Sequence, residues 1–81
     1  MITVFEDRQP TLEEAQKIVG GLVEMITLPR NSDKPMNQDI QVLVNEEGLL
    51  LNLPFNKEAT IRFGTGIVGP AIVLEGEAKW T

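Results

Sequence analysis

An α+β fold, with a mostly antiparallel sheet of about five strands and two short helices, is predicted by three features of this sequence. Short β-prone runs recur along it, two helical segments stand between them with capping residues at their ends, and turn-forming Gly, Pro and Asn punctuate the joins. The expected order is β-α-β-β-β-α-β, with both helices packed on one face of the sheet. At 81 residues the chain has room for one hydrophobic core, so residues 1–81 are read as a single domain. A core of that size leaves a margin of only a few kcal/mol, which makes a homo-oligomer a reasonable expectation.

Each element has its own warrant. Ile2-Thr3-Val4-Phe5 is a short β-prone run before the polar stretch Glu6 to Pro10, and reads as an edge strand. Thr11 opens T-L-E-E, in which Thr11 can cap a helix while Glu14 reaches back to its amide. The helix then runs from Leu12 to about Val19, with Leu12, Ala15, Ile18 and Val19 on one face, Glu13 and Lys17 spaced to pair, and Gly20-Gly21 as the stop. Leu22 to Leu28 is rich in β-branched residues and ends at Pro29, which suits a strand; a helix continued to Ile26 is the alternative. Arg30 to Asn37 has the composition of an exposed loop.

Ile40, Val42 and Val44 alternate with Gln41, Leu43 and Asn45, and N-E-E-G then leads into Leu49-Leu50-Leu51-Asn52-Leu53. This reads as a β-hairpin, with Asn45 at the first turn position and Gly48 where a left-handed backbone is wanted. Asn56 is a good N-cap for a helix from Lys57 to Phe63 closed by Gly64. Ala71-Ile72-Val73-Leu74 is a continuous apolar run that reads as a buried central strand, and Glu75-Gly76-Glu77 as a turn.

Composition restricts the chemistry. The chain has no cysteine and no histidine, which removes disulfides, thiol nucleophiles, the commonest general base and the usual zinc ligands. Ser32, the one serine, therefore has no histidine to activate it. Twelve acidic against seven basic residues give a net charge of −5, a field that repels duplex DNA and anionic membranes. No apolar run approaches the roughly 20 residues that span a bilayer, and the N-terminus lacks the pattern of a secretion signal, so a cytoplasmic location is expected. A local group of cations drawn from Lys17, Arg30, Lys34, Lys57, Arg62 and Lys79 could still hold a small anion.

Gly64-Thr65-Gly66-Ile67-Val68-Gly69 matches G-x-G-x-x-G, but it follows a helix and opens a strand, the reverse of a dinucleotide-binding loop. A glycine-rich connection is the expectation, with a loop whose amides line an anion site as the alternative. Glu46-Glu47 and the pair Glu75 and Glu77 read as solvated turn residues, with a magnesium site at Glu46-Glu47 as the functional alternative. Trp80 beside Lys79 could stack on a nucleobase or bind a partner, or could close the core or a homodimer seam. Asn45 and Asn56 have structural roles as turn and cap, whereas Asn52 has none evident and so is a candidate for reading a ligand edge.

Thr11 to Gly21 (T-L-E-E-A-Q-K-I-V-G-G), Val44 to Thr60 (V-N-E-E-G-L-L-L-N-L-P-F-N-K-E-A-T) and Ile67 to Leu74 (I-V-G-P-A-I-V-L) together resemble a family of small phage-borne domains of unknown function. The resemblance covers most of the chain, omitting mainly the N-terminal strand and the Arg30 to Asn37 loop, and its motifs are caps, turns and strands. Some proteins of this kind, from T-even-type phages, are counted among anti-CBASS sponges, which sequester cyclic oligonucleotide signals of bacterial immunity. The resemblance implies a protein of the host bacterial cytoplasm that captures a cyclic dinucleotide, cGAMP-like, without cleaving it: not an enzyme, with no cofactor, and with its pocket built between protomers. It supplies no pocket motif. The chain's own chemistry nominates Asn52, Asn56, Lys57, Arg62, Lys79 and Trp80 as ligand-binding residues, with Lys17 contributing across an interface. The alternative function is a protein-interaction module that inhibits a host protein through its acidic surface or by adding a strand to a sheet edge. A third is an enzyme using Glu46 or Glu47 with a divalent metal.

Overall fold

The computed structural model describes residues 2–28 and 40–80. The loop expected at Arg30 to Asn37, with Ser32, lies outside them. The described chain is α+β, with strands β1 (Ile2–Phe5), β2 (Val23–Leu28), β3 (Ile40–Asn45) and β4 (Ala71–Leu74), and helices α1 (Leu12–Val19) and α2 (Lys57–Phe63). The four strands form one mixed sheet in the order β1-β4-β3-β2. β2 with β3 and β3 with β4 are antiparallel, while β1 joins β4 in parallel at the edge.

Local chemistry explains both helices. Thr11 accepts the Glu14 amide at 3.0 Å while the Glu14 carboxylate accepts the Thr11 amide at 3.0 Å, which closes the expected capping box. The ion pair on α1 is between Glu14 and Arg8, at 2.9 Å, in place of the pairing expected of Glu13 with Lys17. Arg8 hydrogen-bonding holds the Glu14 carboxyl well below the usual carboxylate range, at about 2, with the Thr11 amide acting in the same direction. Gly20 ends α1 and Gly64 ends α2, both in the left-handed conformation, at φ 83° and φ 71°. Beyond Gly20 the backbone turns directly into β2, so the helix does not continue to Ile26. Leu12 faces outward at 56% exposure, so the buried stripe of α1 is narrower than its sequence pattern suggests.

The two helices lie on opposite faces of the sheet, which corrects the expectation that they share one. Successive strand residues point to opposite sides. Leu43, Ile72 and Leu74 pack with Ala15 and Val19 of α1, whereas Val42, Val44 and Ala71 pack with Ala59 of α2 and with Ile67. β4 is an interior strand whose four residues are all buried, because each of its faces meets a helix layer.

The fifth strand, expected over Leu49 to Leu53, is absent. The chain leaves β3 at Asn45 and coils instead of returning as a hairpin: Leu51 donates its amide to the Glu47 carbonyl at 2.9 Å, an α-type turn. The run of three leucines lacks the alternation that would give a strand one buried face, so nothing holds it in a ladder.

Candidate functional site

The coil between β3 and Asn52 is the most distinctive local structure in the described residues, and its two ends are fixed by asparagines. Asn45 is buried; its Oδ1 accepts the Glu47 amide at 2.8 Å and its Nδ2 donates to the Val19 carbonyl at 3.1 Å, tying the coil to the end of α1. At the other end Asn52 has φ 58°. Around it the Leu53 amide donates to the Gly48 carbonyl at 3.0 Å and the Asn52 amide to the Leu49 carbonyl at 3.2 Å. These are the two bonds of a Schellman motif, with asparagine in the left-handed position where glycine is commonest. Asn52 therefore has a backbone role that its sequence context does not reveal.

Gly48 has a different job from the one expected. It is not among the residues with positive φ; a Cβ there would lie 2.7 Å from Val68 Cγ2 and 3.4 Å from the Asn45 carbonyl oxygen. Glycine is needed because the coil presses against the segment after α2. That segment is held in turn by Phe55, bridged to Val68, and by amide bonds from Asn56 to the Ile67 carbonyl and from Gly69 to the Pro54 carbonyl.

This packing leaves an open groove of about 390 Å³ on the α2 face of the sheet. Ile26, Val44, Ile67 and Val68 line its apolar part, Val44 and Ile67 as buried core residues; the exposed Glu24, Glu46 and Glu47 line it as well, and Leu49 and Leu50 line it from the coil. Among the described residues no lysine or arginine lines it. Leu49 and Leu50 are each 83% exposed, on a coil whose backbone is bonded at both ends. Nearby in sequence or on the same face, Leu51, Phe55 and Ile61 are also exposed. The groove sits at the Val23–Asn45 end of the β2–β3 ladder, the end opposite Leu28 and Ile40.

The residues nominated from sequence are divided between the two faces. Lys57 and Arg62 stand exposed on α2, with the Arg62 guanidinium 5.5 Å from the Phe63 ring centroid. Asn56 is buried, donating from Nδ2 to the Gly69 carbonyl at 2.8 Å and accepting the Ala59 amide at 3.1 Å, so its amide is occupied by the cap. Trp80 belongs to the α1 side: its ring packs on that core, its Nε1 donates to the Pro10 carbonyl at 3.1 Å, and Gln41 bonds both its amide and its carbonyl. Lys79 is anchored beside it, its carbonyl accepting from Gln9 Nε2 at 2.7 Å. The sheet thus separates Lys79 and Trp80 from Lys57 and Arg62.

The glycine-rich run behaves as a connection. The amides of Gly64, Ile67 and Gly69 are already donated, to the Thr60 carbonyl, the Thr60 hydroxyl and the Pro54 carbonyl. Among the described residues no three acidic side chains come together as a metal site, and no helix is long and apolar enough to cross a membrane.

The groove and the exposed leucines were not anticipated from sequence. The available signal was L-L-L ahead of N-L-P, three apolar residues with neither a strand nor a helix period around them. Neither a curated protein nor a solved structure matches the chain. A family model described as a domain of unknown function, DUF3846, matches residues 2–81, and the chain belongs to that family.

Proposed function

We propose that this chain is a non-catalytic docking module that engages a protein partner through the coil Glu46 to Asn52 and the groove behind it. One observation carries this reading: Leu49 and Leu50 are 83% exposed, yet the backbone that presents them is fixed by Asn45 at one end and by the Asn52 turn at the other. Covering a leucine side chain is worth about 1.5–3 kcal/mol, and a pre-ordered backbone loses little further entropy on binding. A sequence without histidine or cysteine is consistent with binding rather than turnover.

A second reading, capture of a cyclic dinucleotide or a similar small anion, is favoured by the exposure of Lys57 and Arg62 on α2, on the same face as the groove. In that reading the chain is a phage anti-CBASS sponge that holds an immune signal intact. The acidic side chains lining the groove weigh against it.

One purification separates the two. Protein retained from bacterial host lysate should include a stoichiometric partner that the Leu49→Ser/Leu50→Ser variant does not retain. Equal retention by both proteins would remove the docking reading. Nucleotide-like absorbance carried through purification and released intact on heating would establish the second; release of a hydrolysed product would defeat both.

A further inference from the structure

Resting on the docking reading, we propose that the groove recognises a basic amphipathic segment, apolar side chains flanked by lysine or arginine, of a partner protein. Glu24 comes from β2, while Glu46 and Glu47 come from the coil, so three exposed glutamates from two elements line the groove beside its apolar residues. Its apolar floor is formed by half-buried Ile26 and Val68, with Val44 and Ile67 buried beneath. Leu49 and Leu50 extend it into solvent. Among the described residues no cation lines the groove to neutralise those carboxylates within the chain.

Apolar contact and charge thus specify the occupant together. An acidic or anionic segment would bring like charge against Glu24, Glu46 and Glu47, while a neutral one would leave them unanswered. A segment with lysine or arginine on either side of its apolar residues satisfies both parts of the surface. The glutamates are exposed, so their contribution acts mainly on association rate and choice of partner and is screened by salt. The apolar contact supplies the salt-independent part.

The test uses three synthetic peptides with leucine at one fixed helical spacing and lysine, glutamine or glutamate at the remaining positions. Binding is read by fluorescence anisotropy against the intact protein at low and high salt. The leucine–lysine peptide should bind tightest, more weakly at high salt, and the leucine–glutamate peptide should not bind. Replacing the acids together, as Glu24→Gln/Glu46→Gln/Glu47→Gln, should cost about tenfold in affinity and flatten the salt dependence. Leu49→Ser/Leu50→Ser should weaken binding at every salt concentration.

Equal affinity for the lysine and glutamate peptides, an unchanged triple variant, or no binding of the lysine peptide would overturn the inference. Binding of the glutamine peptide that depends on Leu49 and Leu50 but not on the glutamates would overturn the charge preference while leaving the docking surface intact. Sedimentation of the protein alone supplies the remaining control: a dimer abolished by Leu49→Ser/Leu50→Ser would make the occupant a second copy of this chain and would also overturn it.

Discussion

The two faces of the sheet differ in how completely they are closed. On the α1 face, a helix with a full capping box lies over Leu43, Ile72 and Leu74, and the C-terminal segment is fastened by Trp80 to Pro10 and Gln41. On the α2 face, a shorter helix contributes Ala59 and Phe63, while Leu49, Leu50, Phe55 and Ile61 remain more exposed than Leu12 and Met25 on the α1 face. Burial of apolar surface is what a chain of this size depends on for stability. A face that leaves this much of it in water, on a backbone held in place, is suited to meeting another molecule. The α1 face therefore serves the fold, and the α2 face is the one proposed for contact.

The sharpest way to break that division is to cut into each face. Leu43 is fully buried against α1, and Leu43→Ala should destabilise by about 2–5 kcal/mol, enough to unfold much of a small domain. Ile61, 72% exposed on α2, should tolerate alanine within about 0.5 kcal/mol. Urea titrations of the two variants measure the contrast, and equal losses would show that the α2 face is as closed as the other.

Asn56 tests whether a nominated ligand residue belongs to the structure. Asn56→Ala removes the α2 cap and the bond to the Gly69 carbonyl, so about 1–3 kcal/mol should be lost. Asn56→Asp keeps an acceptor for the Ala59 amide but sets a buried carboxylate oxygen against the Gly69 carbonyl oxygen, and should be at least as destabilising as alanine in thermal melts.

Asn52 tests the same question from the backbone side. Its φ of 58° costs most residues about 1–2 kcal/mol, so Asn52→Ala should destabilise by roughly that much while Asn52→Gly should not. A side chain that reads a ligand would make glycine as damaging to binding as alanine. Full binding by Asn52→Gly assigns the residue to the turn alone.

These residues also show what the sequence makes legible. Both helix starts were readable because T-L-E-E and N-K-E-A begin with side chains that complete a local hydrogen bond, and a glycine marks each end. The interior strands were readable from their apolar runs. The coil after Asn45 was not, because Asn45 and Gly48 suit both a hairpin and a coil, and the contact that decides, Gly48 against Val68, joins positions 20 residues apart. The two-sided sheet was hidden for a related reason: local pattern places a helix beside a sheet without saying which side. Of the nominated site, Lys57 and Arg62 lie on the open face, but Trp80 is drawn to the closed one by Pro10 and Gln41.

A smaller effect belongs to the closed face. The Glu14 carboxyl is lowered from 4.5 to about 2 by Arg8 and the Thr11 amide, so its stabilising contribution is complete above pH 4.5 and is lost as pH falls towards 2. Glu14→Ala should accordingly lower the melting temperature at neutral pH, with the gap from wild type closing on acidification. A gap constant across that range would mean that the ionised form contributes nothing.

The smallest change in stability is expected where the proposed change in function is largest. Leu49→Ser/Leu50→Ser removes side chains that are already mostly in water and leaves intact the backbone bonds of the coil, which Asn45 and Asn52 hold without them. Melting temperature should therefore shift by no more than about 0.5 kcal/mol of stability corresponds to, while partner binding falls away. A marked loss of stability would mean that the leucines are part of the core in solution, and the distinction between a closed face and an open one would fail at its most exposed residues.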